Sequence, residues 1–455
     1  MRARRRWVER WDPEDRGFWE TEGRHVARRN LVGSVCAEHV GFSVWSMFAV
    51  LALFMGEAHG VDAAGKFTLV AVASLVGGAL RVPYGFAVAR YGGRDWTAFS
   101  AALLLVPCAE LCAVFAAPPG SVPYGVLLLV AVATGVGGAN FASSTANVNA
   151  FYPLRLKGRA LGVNAGGGNI GVAVVQLAGL ALIALGGAGH PWVLPALYVP
   201  LVVAATVWAL RRMDNLGPVR GDTGAVAEAA RHRHTWIVAA LYIGTFGSFI
   251  GYGFAFGLVL QGQFGRTPLE AASLTFVGPL LGSLLRPVGG HLADRWGGAR
   301  VTLAVFALMT GVTVLVVGAS VRGSLPLFVA GFVLLFVLTG AGNGSVYALL
   351  PGIHEAGARS RGLVGEAAAA HARRRAGAAM SLIGAVGAFG GVGINLALSR
   401  SFAGTGSGTT AFAVFAVYYV LCGALVWAVY VRPPRPGPAP AERARNTGET
   451  PVNRR

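Results

Sequence analysis

Two arginines stand where arginine is costly. Arg81 closes one long apolar run and Arg286 closes another. The stretches around them, LRVPYGFAVARYGGR from Leu80 and LRPVGGHLADRWGGAR from Leu285, align at a single offset of 205 positions. That offset sets Arg81 on Arg286, Gly85 on Gly290, Arg90 on Arg295, Gly92 on Gly297 and Gly93 on Gly298. Each of the two arginines precedes a basic, glycine-rich turn by nine residues. Nine helical residues rise about 13 Å, roughly half of a hydrocarbon core about 30 Å thick. A charge at that depth costs several kcal/mol unless it faces protein, water or a counter-ion. Two at matched depth describe a charged central site with two-fold internal symmetry. Its ligand class follows from the side chain. The flat guanidinium fork grips a planar, delocalised oxyanion with two parallel hydrogen bonds, as an ammonium cannot.

Little else in the chain offers chemistry. Glu38 and His39 lie near one end of the first apolar span and Glu110 towards the far end of the third. All three read as interfacial side chains that reach water, and His232 and His234 as solvated linker residues. Cys36, Cys108, Cys112 and Cys422 lie in or beside apolar segments without ligand spacing, so neither a disulfide framework nor a metal site is indicated. Gly166-x-Gly168-x-x-Gly171 matches a dinucleotide fingerprint by letters alone. It lies inside an apolar span with no strand before it, and the next acid is Asp214. No catalytic dyad, activated nucleophile or phosphate loop is present. The chain is not read as an enzyme and no cofactor is expected.

The elements that must hold the arginines are hydrophobic helices. Of 455 residues 54% are hydrophobic and 13% charged, about half the charged fraction of soluble domains. Apolar spans run at about 31–56, 66–90, 96–117, 122–150, 157–185 and 190–211. Six more follow at about 235–262, 268–294, 299–320, 325–350, 374–399 and 409–431. Each is long enough to cross a bilayer with some tilt. The expected organisation is an arm (1–30), a six-helix bundle (31–211), a linker (212–234), a second six-helix bundle (235–431) and a disordered tail (432–455) rich in Pro and charge. Residues 1–30 hold no short apolar core, so no cleavable signal is read there.

The net charge of +18 would suit nucleic acid, but its placement argues for a membrane instead. Of 38 Lys and Arg, only Lys66, Arg266, Arg322 and Arg400 fall in connections on one side, and Arg81 and Arg286 are mid-helix. The rest lie in the tails and in connections on the other side. This positive-inside pattern puts both termini in the cytoplasm of a multi-pass protein of the cytoplasmic membrane. The basic face needs no partner beyond anionic lipid.

Two parallel bundles of six resemble the major facilitator superfamily, whose fold implies a site at mid-membrane between halves that rock about it. The turn after the second helix of each half carries the superfamily's gating motif. It is well kept as Gly290, Asp294, Arg295, Gly297, Gly298 and Arg300. The first copy keeps Gly85, Arg90, Gly92, Gly93 and Arg94 but has Ala89 where the acid belongs. Two glycine-rich runs narrow the resemblance. GVNAGGGNIG from Gly162 holds Gly166, Gly168 and Gly171, and GAVGAFGGVG from Gly384 holds Gly387, Gly390 and Gly391, in corresponding fifth and eleventh spans. Such runs pack helices closely, and can also let them slide and present backbone to a small ligand.

With Gly138-Ala-Asn-Phe-Ala-Ser-Ser144, LYIGTFGSFIG from Leu241, and Gly342-Asn-Gly-Ser345, the pattern is similar to the nitrate/nitrite porter family. Asn395, where an apolar residue or proline is usual, departs from it. The resemblance implies that Arg81 and Arg286 clamp the anion from opposite halves and that Asn169 hydrogen-bonds it. Tyr242, Phe246 and Phe141 would complete the walls, the two phenylalanines offering ring edges to the anion. Transport of nitrate and nitrite is then expected, carried out by a monomer. With no carboxylate seen beside either arginine, exchange of one anion for the other is favoured over proton symport. Symport, a carrier of another small anion, a proton-driven drug exporter and a membrane-anchored sensor or scaffold are the alternatives. Central charges that are both positive argue against the exporter, and buried arginines serve no purpose in a scaffold.

Overall fold

In hydrocarbon every backbone polar group must be satisfied within its own segment, so apolar runs of this length can only be helices. The computed structural model describes residues 7–217, 223–359, 362 and 365–432. Twelve of its helices are long and apolar enough to cross a membrane. They are α1 (Arg16–Phe54), α2 (Ala63–Tyr91), α3 (Gly93–Ala116), α4 (Tyr124–Phe151), α5 (Arg155–Ala184), α6 (Val193–Arg212), α7 (Arg233–Phe264), α8 (Pro268–Trp296), α9 (Gly298–Arg322), α10 (Leu325–His354), α11 (Leu382–Thr405) and α12 (Thr409–Val431). The segment leading into α11 is helical from Gly365, and a short helix, Thr223–Arg231, lies in the stretch between α6 and α7. The tail beyond Arg432, expected to be disordered, lies outside the described residues.

Several of these rods are broken, and proline explains where. A proline ring clashes with the carbonyl four residues earlier. Regular helix duly stops at Ala79, Leu103, Thr275 and Tyr347, each four residues before Pro83, Pro107, Pro279 and Pro351. The first break puts Arg81 at the start of a fresh helical segment, Arg81–Tyr91. In α4 the distortion has another source: the glycine-rich Val136–Ala139 tightens to a 3-10 turn.

The two halves meet along α2 and α11, α5 and α8, and α1 and α7. Towards the arginine-poor side this seam is stitched by polar groups. Ser399 Oγ donates to the Ala64 carbonyl at 2.8 Å and lies 2.9 Å from Thr68 Oγ1. Gln176 Nε2 donates to the Gly253 carbonyl at 2.8 Å and Gln261 Nε2 to the Leu53 carbonyl at 2.9 Å. Above the stitching a cavity of about 530 Å³ opens between the halves, with Lys66, Asp62, Gln261 and Arg266 on its walls.

Residues before the apolar part of α1 do more than lead into it. Trp7–Val8 (β1) pairs in parallel with Asn215–Leu216 (β2), just after α6. Arg29 makes a two-pronged bond to Asp214, both prongs 2.7 Å, and Asn30 Nδ2 adds another at 2.9 Å. Asn215 holds the α2–α3 turn: its side-chain oxygen accepts from the amides of Arg94 (2.9 Å) and Asp95 (3.2 Å), and its amide donates to Asp95 at 2.9 Å. The turn that lacks the motif's acid at Ala89 is thus held by Asn215. In the other copy Asp294 and Arg295 are exposed, and no ion pair joins them to a described residue.

Gly92 and Gly297 occupy equivalent turns with φ of 91° and 87°, a region closed to side chains. At Gly92 a Cβ would also overlap Asn215, whereas at helical Gly290 it would meet nothing within 4 Å. Gly92→Ala is therefore expected to cost upwards of about 1–2 kcal/mol and visibly lower the unfolding temperature in detergent. Gly290→Ala should leave it unchanged or slightly raised. Equal losses for the two would contradict this account of the turn.

Candidate functional site

Arg81 and Arg286 come together at the seam between the halves, within Coulombic reach of each other, and both are buried, 1% and 8% exposed. The 3-10 turn in α4 presents the Gly138 carbonyl, which accepts from Arg81 Nε at 3.1 Å. Arg81 Nη1 reaches across to α11 and donates to the Gly384 carbonyl at 2.7 Å. Nη2 is buried without a partner. Arg286 Nη2 donates to the Tyr242 hydroxyl at 3.3 Å, and its Nη1 is likewise buried without a partner. Each half therefore presents one unsatisfied guanidinium NH2 to the interior. Unpaired buried donors are costly, and an anionic acceptor is what would satisfy them.

Aromatic rings build the walls. Phe42, Phe141 and Phe246 stack at successive centroid separations of 6.2 and 6.1 Å. Tyr242 continues the row at 5.1 Å from Phe246, and Tyr347 lies 4.5 Å beyond Tyr242. The row crosses from one half to the other. Arg81 sits over the Phe141 and Phe246 rings, 4.7 and 5.0 Å from their centroids, and Arg286 lies 5.5 Å from that of Tyr347. This alters the role expected for the phenylalanines. Their faces, the negative side of the ring quadrupole, are turned to the guanidinium and support the charge as cation–π partners. Tyr242 directly precedes, and Phe246 lies within, a π-helical turn, Ile243–Gly247, of a kind often found at functional sites.

Asn169 is buried, 1% exposed, with its side-chain oxygen unpartnered. The glycines seat the site helices. A Cβ on Gly168 would overlap the Glu38 carboxylate and one on Gly171 the His39 carbonyl, so α5 is pressed onto α1. A Cβ on Gly387 would overlap the Tyr242 ring, one on Gly390 would stand 2.7 Å from the Ile243 carbonyl, and one on Gly391 3.2 Å from Ile250. The eleventh helix is thus pressed onto α7 in the same way. Gly166 alone of the six faces open space. Arg90, Asp294 and Arg295 lie apart from the arginines towards the α2–α3 and α8–α9 turns, while Gly85 and Gly290 stand in the helices one turn after Arg81 and Arg286.

One expectation is overturned. Glu38, read as an interfacial side chain, is fully buried. Its Oε2 accepts from the Ser144 hydroxyl and from Asn164 Nδ2, the latter at 2.6 Å. Its Oε1 has no partner, and both arginines lie within Coulombic reach. Hydropathy placed Glu38 by counting from the end of a span. It could not show that α1 extends back to Arg16, which puts this position inside the protein. His39 is half-buried with Nδ1 3.0 Å from the Gly167 carbonyl. Glu110 is part-exposed, with its Oε2 buried and unpartnered. Tyr347, Phe42, Ser144 and Asn164 also went unread as site residues. Ser144 and Tyr347 lie in or just after the quoted fourth- and tenth-span motifs.

Compared with known proteins, residues 36–370 match the family described as Major Facilitator Superfamily. The chain is 36% identical to the nitrate/nitrite transporter NarU of Salmonella typhimurium, with 93% of this chain and 96% of that protein covered. It is 31% identical to the probable nitrate/nitrite antiporter NarK2 of Thermus thermophilus, with 94% and 98% covered. Among solved structures, a D-xylose-proton symporter gives a TM-score of 0.62 at 13% identity, covering 89% of this chain and 97% of the other. At that identity the likeness concerns fold alone.

Overpacking a tight contact costs about 1–3 kcal/mol. Gly387→Ala is expected to lower the unfolding temperature of the purified protein accordingly, and Gly166→Ala to leave it in place. If Gly387→Ala is as stable as the parent, the helix seating described here is wrong.

Proposed function

Starting from a chain that belongs to the major facilitator superfamily and, within it, to the nitrate/nitrite transporters, we propose that it carries nitrate and nitrite through the cytoplasmic membrane by alternating access. It is a transporter and not an enzyme. The observation that carries this reading is the pair of buried guanidinium NH2 groups, one from each half, that lack an acceptor. A planar trigonal anion fits between two such forks, and bonds made to both halves at once are what a rocking carrier needs to sense its load. In this reading Asn169 adds a hydrogen bond to the anion and Tyr242, Phe246 and Phe141 form the walls. The α5 and α11 glycines let the helices slide. The two gating turns, with Gly85 and Arg90 and with Gly290, Asp294 and Arg295, meet as the halves rock. In this reading the carrier works as a monomer and needs no cofactor or nucleic acid, and the arginine distribution supports placing both termini in the cytoplasm.

Exchange of nitrate for nitrite follows from the same charges. Two facing guanidiniums repel when the site is empty, and the bound anion relieves that repulsion, so the loaded carrier reorients faster than the empty one. Nitrate entering alone opposes an inside-negative potential by about 2.3 kcal/mol per 100 mV, whereas one-for-one exchange moves no net charge. Proton symport is a second reading, favoured by one observation: the buried carboxylate of Glu38.

The test is uptake of labelled nitrate into proteoliposomes loaded with nitrite. The parent protein should take up label, and Arg81→Lys and Arg286→Lys should each abolish uptake while remaining folded, because lysine keeps the charge and loses the fork. Asn169→Ala should weaken nitrate binding by about 1.5–3 kcal/mol, one hydrogen bond to a charged partner. Near-normal uptake by either lysine variant would defeat the two-fork clamp.

A further inference from the structure

The arginine-poor side carries few cations, and two of them stand on the walls of one cavity. Of Lys66, Arg266, Arg322 and Arg400, Lys66 and Arg266 line the opening of about 530 Å³ between the halves. One comes from each half: Lys66 lies in the first turn of α2, and Arg266 just before α8. A cavity of this size falls in the range of small-ligand sites. We propose that it is an outer reception site for the carried anion, where Lys66 and Arg266 gather nitrate or nitrite from the medium before the seam opens. The proposal rests on the anion-carrier reading above and adds a second site to it.

Neither charge is fully met by the protein. Lys66 is half-buried and makes no ion pair with a described residue. Asp62, one turn earlier on α2, is placed to pair with it but caps the helix instead, its Oδ1 accepting from the Gly65 amide at 2.7 Å. Arg266 lies 3.5 Å from Glu270, in a pair whose side chains are 38% and 49% exposed, so water weakens the bond. The second Glu270 oxygen is held by the Thr267 amide at 2.9 Å. On the cavity walls two cations and one carboxylate, Asp62, leave one net positive charge. That suffices to draw in a monovalent anion and is too little to retain it, as a site that must pass its ion on requires.

The cavity also stands where the path would begin. Gln261, on its wall, donates across the seam to the Leu53 carbonyl. Ser399 bonds the Ala64 carbonyl and lies beside Thr68, so its partners flank Lys66 on the same turn of α2. The ammonium is therefore seated on the closure itself. Lys66 precedes Arg81 by 15 residues, about 22 Å of helix. One ion cannot touch both, and the two sites act in series. Charges lining a cleft raise the local concentration of a counter-ion and its rate of arrival. The effect belongs to the face that carries them.

The experiment compares right-side-out and inside-out membrane vesicles that hold the full chain and are loaded with nitrite, with labelled nitrate supplied outside at low ionic strength. Only in the right-side-out vesicles does the supplied nitrate meet this cavity first. Loss of one charge about 4 Å from an ion in water corresponds to about fivefold in binding. Lys66→Gln should raise half-saturating nitrate by about that factor in right-side-out vesicles, and Lys66→Glu by roughly tenfold or more, with the maximal rate kept. Arg266→Gln should act in the same direction but less, because Glu270 already meets part of its charge. Lys66→Arg should match the parent, as should Arg322→Gln, which removes an outer cation that is not on the cavity walls. About 1 M gluconate salt, with a Debye length of about 3 Å, should erase the difference between parent and Lys66→Gln. In inside-out vesicles all should share one half-saturation.

Parent-like half-saturation in Lys66→Glu overturns the reception site and leaves the carrier intact. So does an equal rise in both orientations, which places the change at the central arginines, or a rise that Lys66→Arg shares, which makes Lys66 a packing residue. A parent that takes up nitrate in neither orientation brings down the carrier reading itself. Should the Lys66 variants not fold, Arg266→Gln decides, and an unchanged half-saturation counts against the proposal.

Discussion

Two guanidinium groups in an apolar interior, with no carboxylate of a described residue bonded to either, are the constraint to which the rest of the structure answers. A charge in hydrocarbon is tolerated when protein or water faces it. Here the protein supplies carbonyls, a tyrosine hydroxyl and aromatic faces. To supply them the helices must come unusually close and locally unwind. The 3-10 turn in α4 offers up the Gly138 carbonyl, and α11 brings the Gly384 carbonyl within 2.7 Å of Arg81. These partners satisfy part of each fork and leave one NH2 over. The site is thus stable enough to fold and incomplete enough to bind.

The same economy explains the glycines and prolines. Close approach of α5 to α1 and of α11 to α7 happens where a Cβ would overlap the neighbouring helix. The proline break in α2 stands directly before Arg81 and separates the charged segment from the rest of that helix, whereas the break in α8 lies ten residues before Arg286. A rigid rod would have to move as one piece. A rod broken near the charge can let the halves tilt around the anion while the stitching at Ser399, Gln176 and Gln261 is remade. The bond from Arg81 to Gly384 joins the two halves directly, so an anion that competes for Arg81 acts on the contact that holds them together.

Much of this was legible in the chain, because the features concerned are local or repeat. Twelve spans follow from hydropathy and the two-fold repeat from the 205-residue offset. Arg81 and Arg286 stand out because arginine is costly at that depth, and Tyr242, Phe246, Phe141 and Asn169 came through resemblance. What was not legible depends on rotation about a helix axis and on how far a helix runs past its apolar stretch. Glu38 was misjudged for that reason: a polar residue near the end of an apolar run looks the same whether it faces lipid headgroups or the bundle. The ring edges of Phe141 and Phe246 were assigned to the anion with no sign that their faces carry Arg81, since sequence holds no trace of which way a side chain turns. The pairing of Trp7–Val8 with Asn215–Leu216 joins segments too short to show a strand pattern.

The central claim is that the unsatisfied guanidiniums are completed by a planar trigonal anion, and ligand-linked stability tests it without a transport assay. A ligand that binds only the folded state raises stability by RT ln(1 + [L]/Kd). The decisive measurement is the unfolding temperature of the purified protein against increasing nitrate, nitrite, chloride and sulfate at fixed ionic strength. The account predicts a saturable rise with nitrate and nitrite, no such rise with chloride or sulfate, and loss of the nitrate response in Arg286→Lys. A flat response to nitrate, or the same rise with all four anions, would contradict it.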